Sequence, residues 1–287
     1  MIKIMKKAPL CALFVLALNA VNAQVVHRNV LFKQRDLYEK MIANKSTMVM
    51  RRGEQTLNLD GSYTVSRSYM VNDTAAGTYS FTITTEKVTD TLKGMGEQME
   101  YDSQKPSATG SLLEKTLKRL IGKSTDVVID KTGKIIAVSN RFSLSQEDSL
   151  INLSSLLPGK FIVGNTLELI AGLPPSNSLK KGTKWNDTIQ TTGGKEIIYY
   201  AIDGINDSTT TISFKGNGVK NHNYLKDKIT IKDYSTSIIT GYMIVDNNTS
   251  IVTKRFVKTD ESGQQTINDI SVSMEKKSTM IEIVKKL

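Results

Sequence analysis

Strict alternation of apolar and polar residues recurs along this chain and constrains its fold more than any other feature. Tyr63, Val65, Tyr69 and Val71 alternate with Thr64, Ser66 and Ser68. Tyr79, Phe81 and Ile83 alternate with Ser80, Thr82 and Thr84, Ile229 and Ile231 with Lys228, Thr230 and Lys232, and Ile270, Val272 and Met274 with Ser271 and Ser273. A period of two puts one side-chain set on each face of a strand, so these segments predict sheet with one dry and one wet face, the habit of antiparallel pairing. Abundant Thr, Ile, Val and Tyr suit a pleated surface.

Asp- and Gly-bearing breaks mark hairpin turns at Leu59-Asp60-Gly61-Ser62, Asp130–Gly133, Asp246–Thr249 and Asp260–Gly263. Asp and Asn accept hydrogen bonds from turn backbone, and Gly tolerates positive φ. Gly216–Asn223 reads as a polar loop, and residues 28–43 as two strands with a turn at Gln34–Asp36. Val128–Val138 and Ile244–Val252 share one strand–turn–strand grammar, an internal echo that a common hairpin pattern also explains.

Two or three helices are expected to interrupt the strands. Over 111–121, Leu112, Leu113, Leu117, Leu120 and Ile121 fall on one half of a helical wheel, with Glu114, Lys115, Lys118 and Arg119 wet on the other. Gly122 is the natural stop. Ser145–Asp148 resembles a capping box opening a helix to Leu157, and 165–172 forms a shorter third helix before Pro174. Strands, helices, then strands again predict an α+β fold, predominantly antiparallel: a curved sheet or half-open barrel partly covered by two or three helices from a central insert.

Residues 1–23 read as a secretory signal. Lys3, Lys6 and Lys7 precede a short apolar run, Leu10–Leu18, and Val21-Asn22-Ala23 places small-to-medium residues before a cleavage site at Gln24. Leu10 before Cys11 argues against a lipoprotein acceptor, so the product is expected to be soluble, periplasmic or secreted. Loss of three lysines and no acid lowers the formal net charge from +10 to +7. No other apolar run is long enough to cross a membrane as a helix. Residues 24–287 are read as one β-rich domain, divisible into lobes 24–139 and 180–287 joined by 140–179.

Composition excludes several chemistries. One cysteine and two histidines, His27 and His222, leave no Cys-rich zinc site, no paired-His ligand spacing and no cofactor signature. There is no Gly-x-Ser-x-Gly elbow. Gly94-Met95-Gly96 and Gly216-Asn217-Gly218 open no helix after a buried strand, as a phosphate cradle requires. Asp60, Asp130, Asp246 and Asp260 all have turn-forming roles, although two carboxylates suffice for a hydrolase. Basic doublets are scattered without interleaved aromatics, against nucleic-acid binding.

Four short elements carry a family resemblance. Gly96-Glu97-Gln98-Met99-Glu100-Tyr101-Asp102-Ser103, Ile129-Asp130-Lys131-Thr132-Gly133-Lys134, Leu173-Pro174 followed by Gly182-Thr183-Lys184-Trp185, and Val245-Asp246-Asn247-Asn248-Thr249 occur in that order. Together they resemble a family of secreted Gram-negative bacterial β-rich proteins of unknown function, which has Gly where Ser250 stands here. The resemblance implies an exported β-rich protein and no established activity. More distantly, strands flanking a helical insert resemble the half-barrels of LolA-like lipoprotein carriers, an analogy of fold alone.

The expected function is non-enzymatic binding of a lipid or other apolar or amphiphilic ligand, or of an envelope protein. The alternatives are a carboxylate-based hydrolase and a surface module for glycans or host protein. Leu113 and Leu117 on the apolar helix face, and Trp185 with Tyr200, are the candidate ligand-binding residues. Trp185 reads as a core plug or as a platform at a cavity mouth.

Overall fold

Twelve strands and one seven-residue helix form the regular structure of the described residues. The computed structural model describes residues 31–75, 77–105, 112–140, 161–174, 179–191, 193–226, 229–267 and 270–287. In chain order the elements are β1 (Leu37–Arg52), β2 (Gln55–Ala75), β3 (Thr78–Gly94), β4 (Glu97–Asp102), α1 (Leu112–Lys118), β5 (Ser124–Asp130) and β6 (Ile135–Asn140). Then follow β7 (Lys184–Thr191), β8 (Gly194–Ile205), β9 (Thr209–Lys226), β10 (Ile229–Asp246), β11 (Val252–Ile267) and β12 (Ile270–Lys286). They make one antiparallel sheet in the order β6-β5-β3-β2-β1-β12-β11-β10-β9-β8-β7, with β4 on the remaining length of β3. The seam between β1 and β12 runs in unbroken register from Tyr38↔Lys286 to Arg51↔Ser273 and joins the two halves of the chain.

The fold is therefore not α+β. The expected helix at 165–172 is an irregular segment instead. Its backbone is taken by other elements: Leu167 donates to Gly133 O, Ala171 to Ser250 O, and Leu169 O accepts from Val252. A helix would withdraw those groups into its own i→i−4 ladder. Of the expected helix over 111–121, Leu112–Lys118 forms, and Glu114, expected wet, is buried. The capping box and helix at 145–157 lie outside the described residues. The expected strand before the turn at Gln34 is absent over 31–33, while β1 follows the turn as expected.

Two expected turns and one expected loop are strand interior. Asp60-Gly61 sits inside β2, Asp260–Gly263 inside β11, and Gly216–Asn223 inside β9. Glycine there serves curvature. A Cβ on Gly216 would lie 2.5 Å from Ile197 O, and one on Gly263 2.7 Å from Ser235 Cβ, so neighbouring strands approach too closely for any side chain. The turns at Asp130–Gly133 and Asp246–Thr249 form as expected, each held by its Asp carboxylate: Asp130 Oδ1 accepts from Thr132 and Lys134, Asp246 Oδ1 from Asn248 and Thr249.

The sheet is open in its hydrogen-bonded path yet curled almost to closure. Eleven strands laid flat at about 4.8 Å spacing would hold β6 and β7 nearly 50 Å apart. One residue nevertheless reaches both. Asn165 pairs by backbone with β6, its carbonyl accepting from Ile135 N at 2.8 Å, and its side-chain amide mimics a strand toward β7. There Nδ2 donates to Gln190 O at 2.8 Å and Oδ1 accepts from Gln190 N at 3.0 Å. The pairing of the start of β6 with the far part of β7 reflects the strand tilt that barrel closure demands. Asn165→Ala removes both side-chain bonds, so it should cost about 1–3 kcal/mol. Urea denaturation checks the cost, and amide exchange at Gln190 should accelerate selectively.

Candidate functional site: the inner face of the curled sheet

Side chains on the inner face sort by height. At the top, segment 161–174 fills the curl. Leu167, Leu169 and Ile170 join Tyr69, Phe81, Ile129 and Val284 in one buried cluster. Leu173 and Ala171 join Ile202, Ile212, Met243 and Val245 in another. Each such aliphatic side chain contributes on the order of 1.5–3 kcal/mol through burial.

Between these clusters lies an ion network that the sequence reading did not single out. Lys40 is fully buried and its Nζ stands 3.3 Å from Glu168 Oε2 and 3.1 Å from Glu282 Oε2. Arg67 reaches Glu168 at 3.4 Å and Arg255 reaches Glu282 at 3.1 Å. The Tyr69 hydroxyl donates to Glu168. Burial alone would raise the Glu168 pKa, but Lys40, Arg67 and Arg255 with the Tyr69 bond hold it well below the ordinary carboxylate range. The signal was present in the sequence: Lys40 stands in phase with Tyr38 and Ile42, and Arg67 with Val65 and Tyr69, at positions where alternation demands apolar residues.

Lower on the same face, α1 packs inward. Leu117 and Leu120 lie on Ile42, Tyr63, Val65, Val88 and Tyr101. Beside this cluster Asp90 is 4% exposed, its Oδ2 has no hydrogen-bond partner among the described residues, and burial pushes its pKa up to about 7. The folded protein therefore holds a proton on Asp90 that the unfolded chain, at 3.8, has released, and stability falls as pH rises from about 4 to about 7. Asp90→Asn should flatten that slope and stabilise the protein at pH 8 by on the order of 1–2 kcal/mol, measured by denaturation at several pH values.

Below α1 the inner face opens and divides. Register sets Glu196, Gly218, Ser237, Glu261, Lys276, Met48, Leu59 and Gly94 in one row from β8 to β3. The next row is Gly194, Lys220, Ser235, Gly263, Met274, Met50 and Leu57. The β8–β11 wall is thus polar, Lys276 of β12 extends it by one strand, and the rest of the β12–β1–β2–β3 wall is apolar and methionine-rich. Glu196, Glu261, Lys220, Ser235 and Ser237 line a cavity of about 260 Å³. Ser235 Oγ donates to Glu261 at 2.7 Å. Burial and then the Glu261 charge raise the Glu196 pKa; burial lowers that of Lys276, with Glu261 opposing. Among the described residues no His/Cys/Asp/Glu group could hold a metal ion.

The candidate residues whose side chains are described fall in two places. Leu117 is fully buried under α1. The side chain of Leu113 lies outside the described residues. Trp185 and Tyr200 do meet, stacked at 5.1 Å and 16°, with Trp185 Nε1 donating to Gly172 O at 3.0 Å. They pack against the upper cluster of Ile202 and Ile212 rather than the open lower face. Tyr199 points to the outer face and is exposed.

Residues 76–149 match the model of a family of unknown function (DUF6263). No curated protein matches the chain. Among solved structures, lipovitellin, from a study of its lipid–protein interactions, aligns at 10% identity and a TM-score of 0.46, over 89% of this chain and 26% of lipovitellin. The chain thus spans about a quarter of lipovitellin's length. An outer membrane channel from Pseudomonas putida F1 aligns at 7% identity and 0.27, covering 90% of this chain and 98% of the channel. A porin mutant from Rh. blastica aligns at 7% identity and a TM-score of 0.21, covering 87% of this chain and 100% of the porin. None of these three is a LolA-like carrier, and none of the likenesses bears on function. No helix among the described residues is long and apolar enough to cross a membrane.

Proposed function

We propose that the chain is an exported, non-enzymatic protein that binds an amphiphile on the lower inner face of its curled sheet. One observation carries this reading. Met48, Met50, Leu57, Leu59, Leu92 and Met274 form a largely half-exposed apolar wall opposite the charged and hydroxyl-bearing wall of Glu196, Lys220, Ser235, Ser237 and Glu261. An acyl or other apolar chain fits the first wall, where unbranched Met adapts to irregular shapes. A polar head fits the second, where hydroxyls and charges satisfy it out of bulk water. The ligand site is thus lower than the Trp185–Tyr200 pair.

The test is fluorescence titration of delipidated protein with a pyrene-labelled fatty acid. Saturable binding is expected, and Leu57→Asp with Met274→Asp should weaken it at least tenfold, as a charge placed on the apolar wall opposes chain burial. Failure of the unaltered protein to bind, or unaffected binding by the double variant, would overturn the assignment.

A further inference from the structure

The polar wall of the inner face sets its charges in a particular order. Along one row Glu196, Gly218, Ser237, Glu261, Lys276 and Met48 follow one another on β8, β9, β10, β11, β12 and β1. Gly218 and Ser237 leave room between the two carboxylates. A Cβ on Gly218 would clash with Ser237 Oγ and stand 3.1 Å from Glu196 Cγ, so the Glu196 stem lies over Gly218. Glu196 and Glu261 line one cavity of about 260 Å³ and are near enough for the Glu261 charge to act on Glu196. Glu261 accepts from Ser235 Oγ at 2.7 Å and has Lys276 beside it. Glu196 has no hydrogen bond or ion pair among the described residues. Lys220, exposed in the next row, is near enough for its charge to act on Lys276.

We infer that this row receives the head of an aminophospholipid, with its primary ammonium between Glu196 and Glu261, its phosphate by Lys276 and Lys220, and its acyl chains from Met48 onward. The inference rests on the amphiphile reading above and specifies the head. Acid, base and apolar residue succeed one another at the strand spacing of about 4.8 Å, and amine, phosphate and chain succeed one another in the lipid in the same order. A primary ammonium brings three N–H donors, enough for both carboxylates and the Ser237 hydroxyl. A quaternary ammonium brings none. A carboxylate held out of bulk water without a partner is costly, and the ligand's ammonium relieves that cost at Glu196. A divalent cation suits the row less well, because Lys276 stands beside one of the two carboxylates and repels it.

Fluorescence titration with pyrene-labelled phosphatidylethanolamine and phosphatidylcholine of the same acyl chains, offered in the same neutral micelles, tests the inference. Phosphatidylethanolamine should bind at least tenfold more tightly, the difference being the charge-assisted hydrogen bonds of the ammonium. Glu196→Gln removes a charge that the fold does not pair, so the variant should fold normally and lose most of that preference. Its affinity for the pyrene-labelled fatty acid should stay within about threefold of the unaltered protein, since that ligand has no ammonium. Leu57→Asp with Met274→Asp should weaken both phospholipids alike. Equal binding of the two phospholipids, or a preference that survives Glu196→Gln, would overturn the head assignment while fatty-acid binding keeps the amphiphile reading. Calcium binding that Glu196→Gln abolishes would replace the ammonium with a metal and overturn it too. Binding of none of the three pyrene probes would overturn the amphiphile reading and the head assignment together.

Discussion

Lys40→Met is expected to destabilise the protein by about 3–5 kcal/mol in urea denaturation at neutral pH. Lys40 is the group that touches both carboxylates of the buried network, Glu168 at 3.3 Å and Glu282 at 3.1 Å. Methionine keeps the stem and removes the charge, leaving the two carboxylates facing each other across a poorly hydrated gap. Arg67 and Arg255 each still hold one of them. Adding Glu282→Gln to Lys40→Met should therefore recover part of the loss. The pH dependence separates this from simple loss of packing. In the unaltered protein Glu168 titrates below its ordinary 4.5, so its contribution is present above that pH and disappears as pH falls through the depressed value. In the Lys40→Met variant Glu168 loses the strongest of the charges that depress its pKa, so it takes up a proton at higher pH than in the unaltered protein. A loss below about 1 kcal/mol at neutral pH would mean the network behaves as a solvated surface pair.

Leu117→Ala should cost about 2–5 kcal/mol, since the side chain is fully buried against Ile42, Tyr63, Val65 and Val88 and its truncation leaves a cavity. Lys118→Ala, one residue on and exposed, should change stability by no more than about 0.5 kcal/mol. The same urea series measures both. The reverse ranking would mean that α1 presents its other face to the sheet.

Strand identity was legible wherever alternation was regular: Tyr63, Val65, Tyr69 and Val71, and Tyr79, Phe81 and Ile83, all carry their side chains to the inner face. Strand length was not. Asp60-Gly61 and Asp260–Gly263 look like turns because short-range chemistry is the same for a turn and for a place where a curling strand must shed its side chain. Only the partner strands, far away in sequence, decide which it is. The pair Asp130–Gly133 and Asp246–Thr249 were read correctly because the carboxylate-to-backbone bonds that close them are local. Segment 165–172 was misread for the opposite reason: Leu167, Leu169 and Ile170 suit a helix face, yet Leu167 bonds Gly133 of the β5–β6 turn and Leu169 bonds Val252 of β11. The lower inner face was not legible in the sequence, which drew attention to Leu117, Trp185 and Tyr200 instead. Its apolar half, Met48, Met50, Leu57 and Met274, is assembled only when β12 docks beside β1.

That seam also governs when the molecule can exist as a folded object. β1 is flanked by β2, available at once, and by β12, the last of the twelve strands to be synthesised. Until β12 arrives, Lys40 lacks Glu282, and the chain carries an exposed edge on each half. Contacts of such high sequence separation fold slowly. The β1–β12 seam cannot close before β12 is made, so a holdase that shields the waiting edge of β1 should raise the yield of folded protein more than any catalyst of local turn formation.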